Sequence, residues 1–78
     1  MYEFENMEEI LEKFKDILSV YHPNKKVKLC DIANVLRLKE ANLYSRKKRN
    51  AVPFEEILLF CKRTGHNPIE IFFKVKKS

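Results

Sequence analysis

Residues 29–49, LCDIANVLRLKEANLYSRKKR, contain two short helical patterns joined by about three residues. The first pattern has four apolar residues at steps of three and four, the period of a helix with one buried face: Leu29, Ile32, Ala33 and Leu36. The second pattern begins near Lys39 or Glu40, ends at Arg49, and has Leu43 as its one clear inward residue. Helices this short are stable in water only when they pack against neighbours.

The spacing of residues in this segment is that of a helix-turn-helix unit. Ala33 is a small residue at the point where a second helix can cross the first closely. Apolar residues stand one position before it and three, five and ten positions after it: Ile32, Leu36, Leu38 and Leu43. Arg37 occupies the turn, where the backbone is usually left-handed at a cost of about 1 kcal/mol to a residue other than Gly. We therefore expect either modest strain at Arg37 or a turn of different shape.

An amphipathic pattern precedes this segment. Apolar residues from Met7 to Tyr21 keep the helical period, and Asn6 with Glu9 resembles a capping arrangement at its start. Pro23 disfavours helical geometry in the residue before it, so the helix should end near Tyr21.

Two further helical patterns follow the segment. One opens at Pro53, ends before Gly65, and has an apolar stripe of Phe54, Ile57, Leu58 and Cys61. The last is short and follows Asn67 and Pro68, a capping residue and a first-turn proline. The alternation typical of strands appears only at residues 73–76, where the chain is ending. We therefore predict an all-α fold of five helices with no sheet.

The charges of the chain are unevenly distributed around a net charge of +5. Residues 1–20 hold six acidic and two basic side chains, whereas residues 37–49 hold six basic side chains and Glu40 as the one acidic side chain. A basic cluster of nearly uniform sign favours a polyanionic partner such as nucleic acid or an anionic membrane surface. The alternative is a solvated helix face that aids solubility. The acidic first helix is expected either to face away from DNA or to be a partner for the basic half.

Several classes of function are not supported. The single glycine counts against Gly-rich phosphate loops, and no apolar run approaches the roughly 18 residues of a membrane span. Cys30 and Cys61 lack the paired spacing of a zinc site. The acidic pairs at residues 8–9 and 55–56 stand in first helical turns, where the helix dipole favours negative charge. We expect a cytoplasmic chain with no enzymatic activity, cofactor, metal, membrane partner or evident small-molecule ligand.

The stretch from Ile32 to Phe73 resembles the helix-turn-helix domain of bacteriophage CI-type repressors, above all in residues 45–73, SRKKRNAVPFEEILLFCKRTGHNPIEIFF. The matching positions are Ser45, Lys47, Lys48, Arg49, Pro53, Phe54, Glu55, Glu56, Ile57, Phe60 and Cys61. The family usually carries Trp where this sequence has Arg46. The resemblance implies a compact five-helix, lambda-repressor-like bundle formed by one domain over residues 1–78, with the helix-turn-helix at about 28–49. It also implies a sequence-specific transcriptional regulator of phage or prophage type that binds double-stranded DNA.

A helix over residues 40–49 that enters the major groove divides the polar side chains into two groups. The candidates for reading base edges are Lys39, Glu40, Ala41, Asn42, Tyr44, Ser45 and Lys48. The candidates for phosphate contacts are Lys25, Lys26, Lys28, Arg37, Arg46, Lys47 and Arg49.

Two alternatives stay open at this stage. The end of the chain has more apolar residues than one short helix can turn inward, so it is a candidate surface for a homodimer: Ile69, Ile71, Phe72, Phe73 and Val75. The same residues are equally compatible with closing the core of the monomer. A fold of this type also serves as a protein-interaction module, such as an antitoxin or accessory factor.

Overall fold

The computed structural model describes residues 2–75, and the side chains of residues 3–74. The elements are β1 (Tyr2–Phe4), α1 (Met7–Tyr21), α2 (Leu29–Leu36), α3 (Glu40–Arg49), α4 (Phe54–Thr64), α5 (Pro68–Phe72) and β2 (Phe73–Val75). The five predicted helices are therefore confirmed within the described residues, at bounds close to those expected.

The predicted helix starts and stops are present in atomic detail. Asn6 Oδ1 accepts a hydrogen bond from the Glu9 amide at 2.9 Å, and Glu9 Oε1 accepts from the Asn6 amide at 3.1 Å. This capping box satisfies two amides at the start of α1. Gly65 ends α4 in the left-handed conformation, with φ 79°. Asn67 caps α5 by accepting from the Ile69 amide at 3.0 Å.

All five helices contribute to one hydrophobic core. Phe14 of α1, Ile32 of α2, Leu43 of α3 and Ile57 of α4 are fully buried within it. Cys61 is buried among them as a small apolar side chain, as expected, and burial raises the pKa of its thiol.

The apolar stripe expected on α4 is only half correct. Ile57 and Cys61 face the core together with Phe60, but Phe54 and Leu58 are about half exposed. The physical reason is that α4 has apolar residues over most of its circumference, so periodicity alone does not define which arc is buried.

The prediction of no sheet is wrong. β1 and β2 pair antiparallel, with Tyr2 opposite Val75 and Phe4 opposite Phe73. β2 coincides with the alternation noted at residues 73–76, but each strand has only three residues and the pairing joins segments about seventy positions apart. Local sequence patterns do not carry that information.

Two lysines tie this small sheet to the helices. Lys13 Nζ pairs with the buried carboxylate of Glu5 and donates to the backbone carbonyls of Glu70, Ile71 (3.3 Å) and Phe73 (3.0 Å). Lys74 Nζ pairs with Glu9 on α1, and this hydrogen bond, followed by that from the Asn6 amide, lowers the pKa of Glu9. We call the group Glu5, Glu9, Lys13 and Lys74 the terminal clasp.

The structure places two residues of the candidate dimer surface at the end of the chain inside the core of the monomer. Ile71 and Phe72 are only 2% and 6% exposed, so they close the core of the monomer. Phe73 is partly buried against the same core. Ile69 is exposed, and the side chain of Val75 lies outside the described residues.

Candidate nucleic-acid interface

The turn between α2 and α3 presents α3 to solvent. Arg37 adopts φ 58° and ψ 39°, so of the two alternatives left open by the sequence the structure has the usual left-handed turn and not a turn of different shape. The Leu38 amide donates to Ala33 O at 2.9 Å, and the Arg37 amide donates to Asn34 O at 3.1 Å. These two bonds form a Schellman motif that ends α2 and reverses the chain direction. The side chain of Arg37 is left exposed beside the turn.

The packing of α2 against α3 agrees with the predicted spacing. Ala33 is 1% exposed, and it provides the small side chain needed where the two helices approach each other. Leu43 of α3 is fully buried, and Leu38 packs against the edge of the core. Leu43 therefore fixes which side of α3 faces inward.

The side of α3 opposite Leu43 carries most of the candidates for reading bases. At about 100° per residue, the residues farthest from Leu43 are Ala41, Ser45, Lys48 and Arg49, and Tyr44 stands at the edge of this arc beside Lys48. All five are exposed. Lys48 Nζ lies 4.9 Å from the centre of the Tyr44 ring, within the range of a cation–π contact. The outward arc therefore combines two small side chains with a linked aromatic and cationic pair.

One flank of α3 is occupied by an internal hydrogen bond. Arg46 Nε donates to Asn42 Oδ1 at 2.8 Å, and Arg46 is half-buried. Reading adenine with an Asn side chain requires its oxygen as an acceptor and its amide group as a donor. Arg46 therefore uses one of the two lone pairs of Asn42 Oδ1 and restricts the orientations in which Asn42 can bind adenine.

The other flank of α3 borders a cleft of about 550 Å³. Lys47 lines this cleft together with Lys26 and Lys28, so the structure brings together phosphate candidates from two separate segments. Glu8, Glu9 and Glu12 of α1 line the same cleft. The acidic helix is therefore a neighbour of the basic half at this cleft.

Lys25 is engaged elsewhere, although it belongs to the same loop. Its Nζ atom pairs with Asp31 at 3.0 Å. Asp31 also accepts from the Lys28 amide at 2.9 Å, and this bond together with Lys25 lowers the pKa of Asp31. The role of Lys25 in the structure is to hold the start of α2.

The basic cluster at residues 37–49 is free of carboxylate partners. The ion pairs found between the described side chains use Lys13, Lys15, Lys25 and Lys74. None of the six cations of residues 37–49 forms an ion pair with any described side chain. Lys39 precedes α3 without a side-chain cap, so amides at the start of α3 have no side-chain acceptor among the described residues.

Sequence reasoning missed two residues that shape this surface. Asn50 ends α3 with φ 52°, and its Oδ1 accepts from the Met7 amide at 2.7 Å, which fixes the end of α3 against the start of α1. Arg63 Nη2 donates to Val35 O at 2.6 Å and lines a shallow depression together with Arg37. Asn is tolerant of the left-handed conformation, which was a usable local signal, but nothing local indicates either long-range partner.

The described part of the chain has neither a metal-binding cluster nor a membrane-spanning helix. Between residues 2 and 75, there is no group of three or more His, Cys, Asp and Glu side chains able to hold a metal ion. Nor does any helix in this range have the length and apolar character needed to cross a membrane. Comparison with protein-family models, with curated proteins and with solved structures finds no match to this chain.

Proposed function

We propose that this chain binds double-stranded DNA in a sequence-specific manner, with α2 and α3 as the helix-turn-helix of a lambda-repressor-like domain. The observation that carries the proposal is the basic cluster of residues 37–49, which is exposed on and beside α3 and forms no ion pair within the described residues. Cations without a carboxylate partner keep their charge available to neutralise phosphates and release counterions. The cellular role that fits best is a small phage- or prophage-type transcriptional regulator in the bacterial cytoplasm.

In this proposal, the two sides of α3 do different work. The outward arc of Ala41, Tyr44, Ser45 and Lys48 enters the major groove, where Ala41 admits a thymine methyl and Lys48 donates to guanine. Arg37, in the turn before α3, and Lys47, on the side of α3 that borders the cleft, contact phosphates, which fixes the register without reading sequence. Lys26 and Lys28 add phosphate contacts beside Lys47 where a phosphate stays clear of Glu8, Glu9 and Glu12, which line the same cleft.

A titration with a labelled duplex of random sequence tests the basic surface. Binding should weaken steeply between two salt concentrations, because each phosphate contact contributes about 0.9 to the slope of log affinity against log salt. Lys47→Ala should reduce that slope by about 0.9. Lys62→Ala is the matched control, because it removes an exposed lysine of α4 that lies outside both α3 and the cleft lined by Lys47. An unchanged slope for Lys47→Ala would refute its role.

Comparing a selected duplex with the random duplex in the same titration separates this proposal from a protein-interaction module. A module of that class would use the basic surface to meet an acidic protein, and it would bind both duplexes equally at low salt, through charge alone. Equal affinity for the two duplexes, or no binding at low salt, would overturn the proposal of sequence-specific DNA binding.

A further inference from the structure

The outer face of α4 exposes a row of large apolar side chains. Phe54, Leu58 and Leu59 are 48%, 49% and 49% exposed, while Ile57 and Phe60 on the opposite side are buried. The ring of Phe4, on strand β1, lies 6.3 Å from that of Phe54 in an edge-to-face arrangement and extends the row. We call Phe4, Phe54, Leu58 and Leu59 the α4 patch. Contiguous exposed apolar surface of this kind is typical of a protein contact.

Two opposite charges stand at the ends of this patch. Glu55 is in the first turn of α4 and Lys62 is in its last turn. At about 100° per residue, both fall on the same outward arc as Leu58 and Leu59. Neither side chain forms an ion pair with another described residue. The exposed side of α4 is therefore acidic at its N-terminal end, apolar in the middle and basic at its C-terminal end.

This order of side chains is self-complementary under a two-fold rotation. Glu55 and Lys62 are equally far in sequence from the midpoint between Leu58 and Leu59. When two α4 helices pack antiparallel about that midpoint, Glu55 meets Lys62 of the second copy, and Leu58 meets Leu59 of the second copy. The reciprocal contacts form by symmetry, and the two helix dipoles oppose each other.

We propose that the α4 patch is a homodimer surface on which α4 packs antiparallel against α4 of a second copy of this chain. The order of charges indicates a second copy of this chain as the partner. In an antiparallel pair of identical α4 helices, each Glu55 faces a Lys62, so both charges of each copy have an opposite charge as partner. One helix with one flanking ring buries less area than a standard interface, so the dimer is weak and forms in the micromolar range or above. It assembles without DNA and does not depend on the proposed DNA-binding function.

Charge reversal tests the dimer without DNA, by sedimentation equilibrium over a concentration series that extends to near-millimolar protein. Glu55→Lys and Lys62→Glu should each weaken the dimer about tenfold, because two symmetry-related pairs change from attraction to repulsion. Asp16→Lys on α1 is the matched control for Glu55→Lys, because it reverses a charge in the same direction at an exposed position away from α4, and Lys15→Glu on α1 is the corresponding control for Lys62→Glu. Circular dichroism confirms that each variant is folded.

Recovery of the dimer when both charges are reversed distinguishes loss of a contact at the interface from loss of folding. An equimolar mixture of Glu55→Lys and Lys62→Glu chains should form a heterodimer about tenfold tighter than either homodimer, because both cross pairs are then attractive. The double variant Glu55→Lys with Lys62→Glu should regain the affinity of the original chain. A monomer at all concentrations, or single reversals that act no differently from their controls on α1, would overturn the proposal. So would a mixture or double variant that fails to recover the dimer.

Discussion

Replacing Arg37 by Gly should stabilise the fold while weakening binding to DNA. Arg37 holds φ 58° and ψ 39°, a conformation that costs a residue with a Cβ atom about 1–2 kcal/mol. Gly also increases the freedom of the unfolded chain, which offsets about 0.4–1 kcal/mol. The exposed Arg37 side chain donates no hydrogen bond to the described residues, so little folding energy is lost with it. The expected net gain is about 0.5–1 kcal/mol, or about 2–8 °C in Tm for a domain of this size.

Arg37→Ala is the matched control for this experiment. Ala removes the same cation but keeps the Cβ atom, so it should change stability by less than about 0.5 kcal/mol. Both variants should lower DNA affinity equally, because both lose one phosphate contact. Thermal and urea unfolding followed by circular dichroism measures the stabilities. If Arg37→Gly is no more stable than Arg37→Ala, the turn does not carry the strain assigned to it, and the reasoning is refuted.

Three other predictions concern contacts that hold the fold. Asn50→Ala should destabilise the fold by about 2 kcal/mol in urea unfolding, because Ala loses both the hydrogen bond to the Met7 amide and the tolerance of left-handed geometry. Asn50→Gly should destabilise it by about 1 kcal/mol, because Gly loses only the hydrogen bond. Equal losses would contradict this. Lys13→Met should cost about 2–3 kcal/mol, since it leaves the buried Glu5 carboxylate without its cation, and adding Glu5→Gln should recover part of the loss. The pKa of Glu9 is lowered in the folded protein, so its contacts stabilise the fold at neutral pH, and this stabilisation is lost as the pH falls through that pKa. Glu9→Gln should therefore reduce the loss of Tm in acid. An unchanged dependence of Tm on pH would count against the contact between Glu9 and Lys74.

The features that could be predicted from sequence are those fixed by neighbours in the chain. The capping box of Asn6, the end of α4 at Gly65 and the left-handed turn at Arg37 each depend on residues within about six positions, and each is present. The basic cluster at residues 37–49, in which nearly all charges are positive, could also be predicted directly from the sequence.

The features that could not be predicted depend on segments far apart in sequence. Pairing of Tyr2 with Val75 and the bonds from Lys13 to the end of the chain require knowing where the two termini meet. The inward side of α4 was mistaken at Phe54 and Leu58 because apolar residues on both sides of that helix satisfy the same period. That error concealed the α4 patch.

The terminal clasp has a consequence for how α3 is positioned. Glu9 belongs both to the capping box of α1 and to the pair with Lys74, and the first amide of α1 is held by Asn50 at the end of α3. The start of α1 is therefore fixed both to the C-terminal strand β2 and to α3. Changes at either contact are expected to alter the orientation of α3 as well as stability.

Selection of bound duplexes from a pool of random DNA tests the central claim most directly, because it asks whether the outward arc of α3 reads sequence. The original chain should enrich one motif, Lys48→Ala should change or relax a position of that motif, and Lys47→Ala should retain the motif at lower affinity. Enrichment of no motif, or a motif unaffected by Lys48→Ala, would contradict the account.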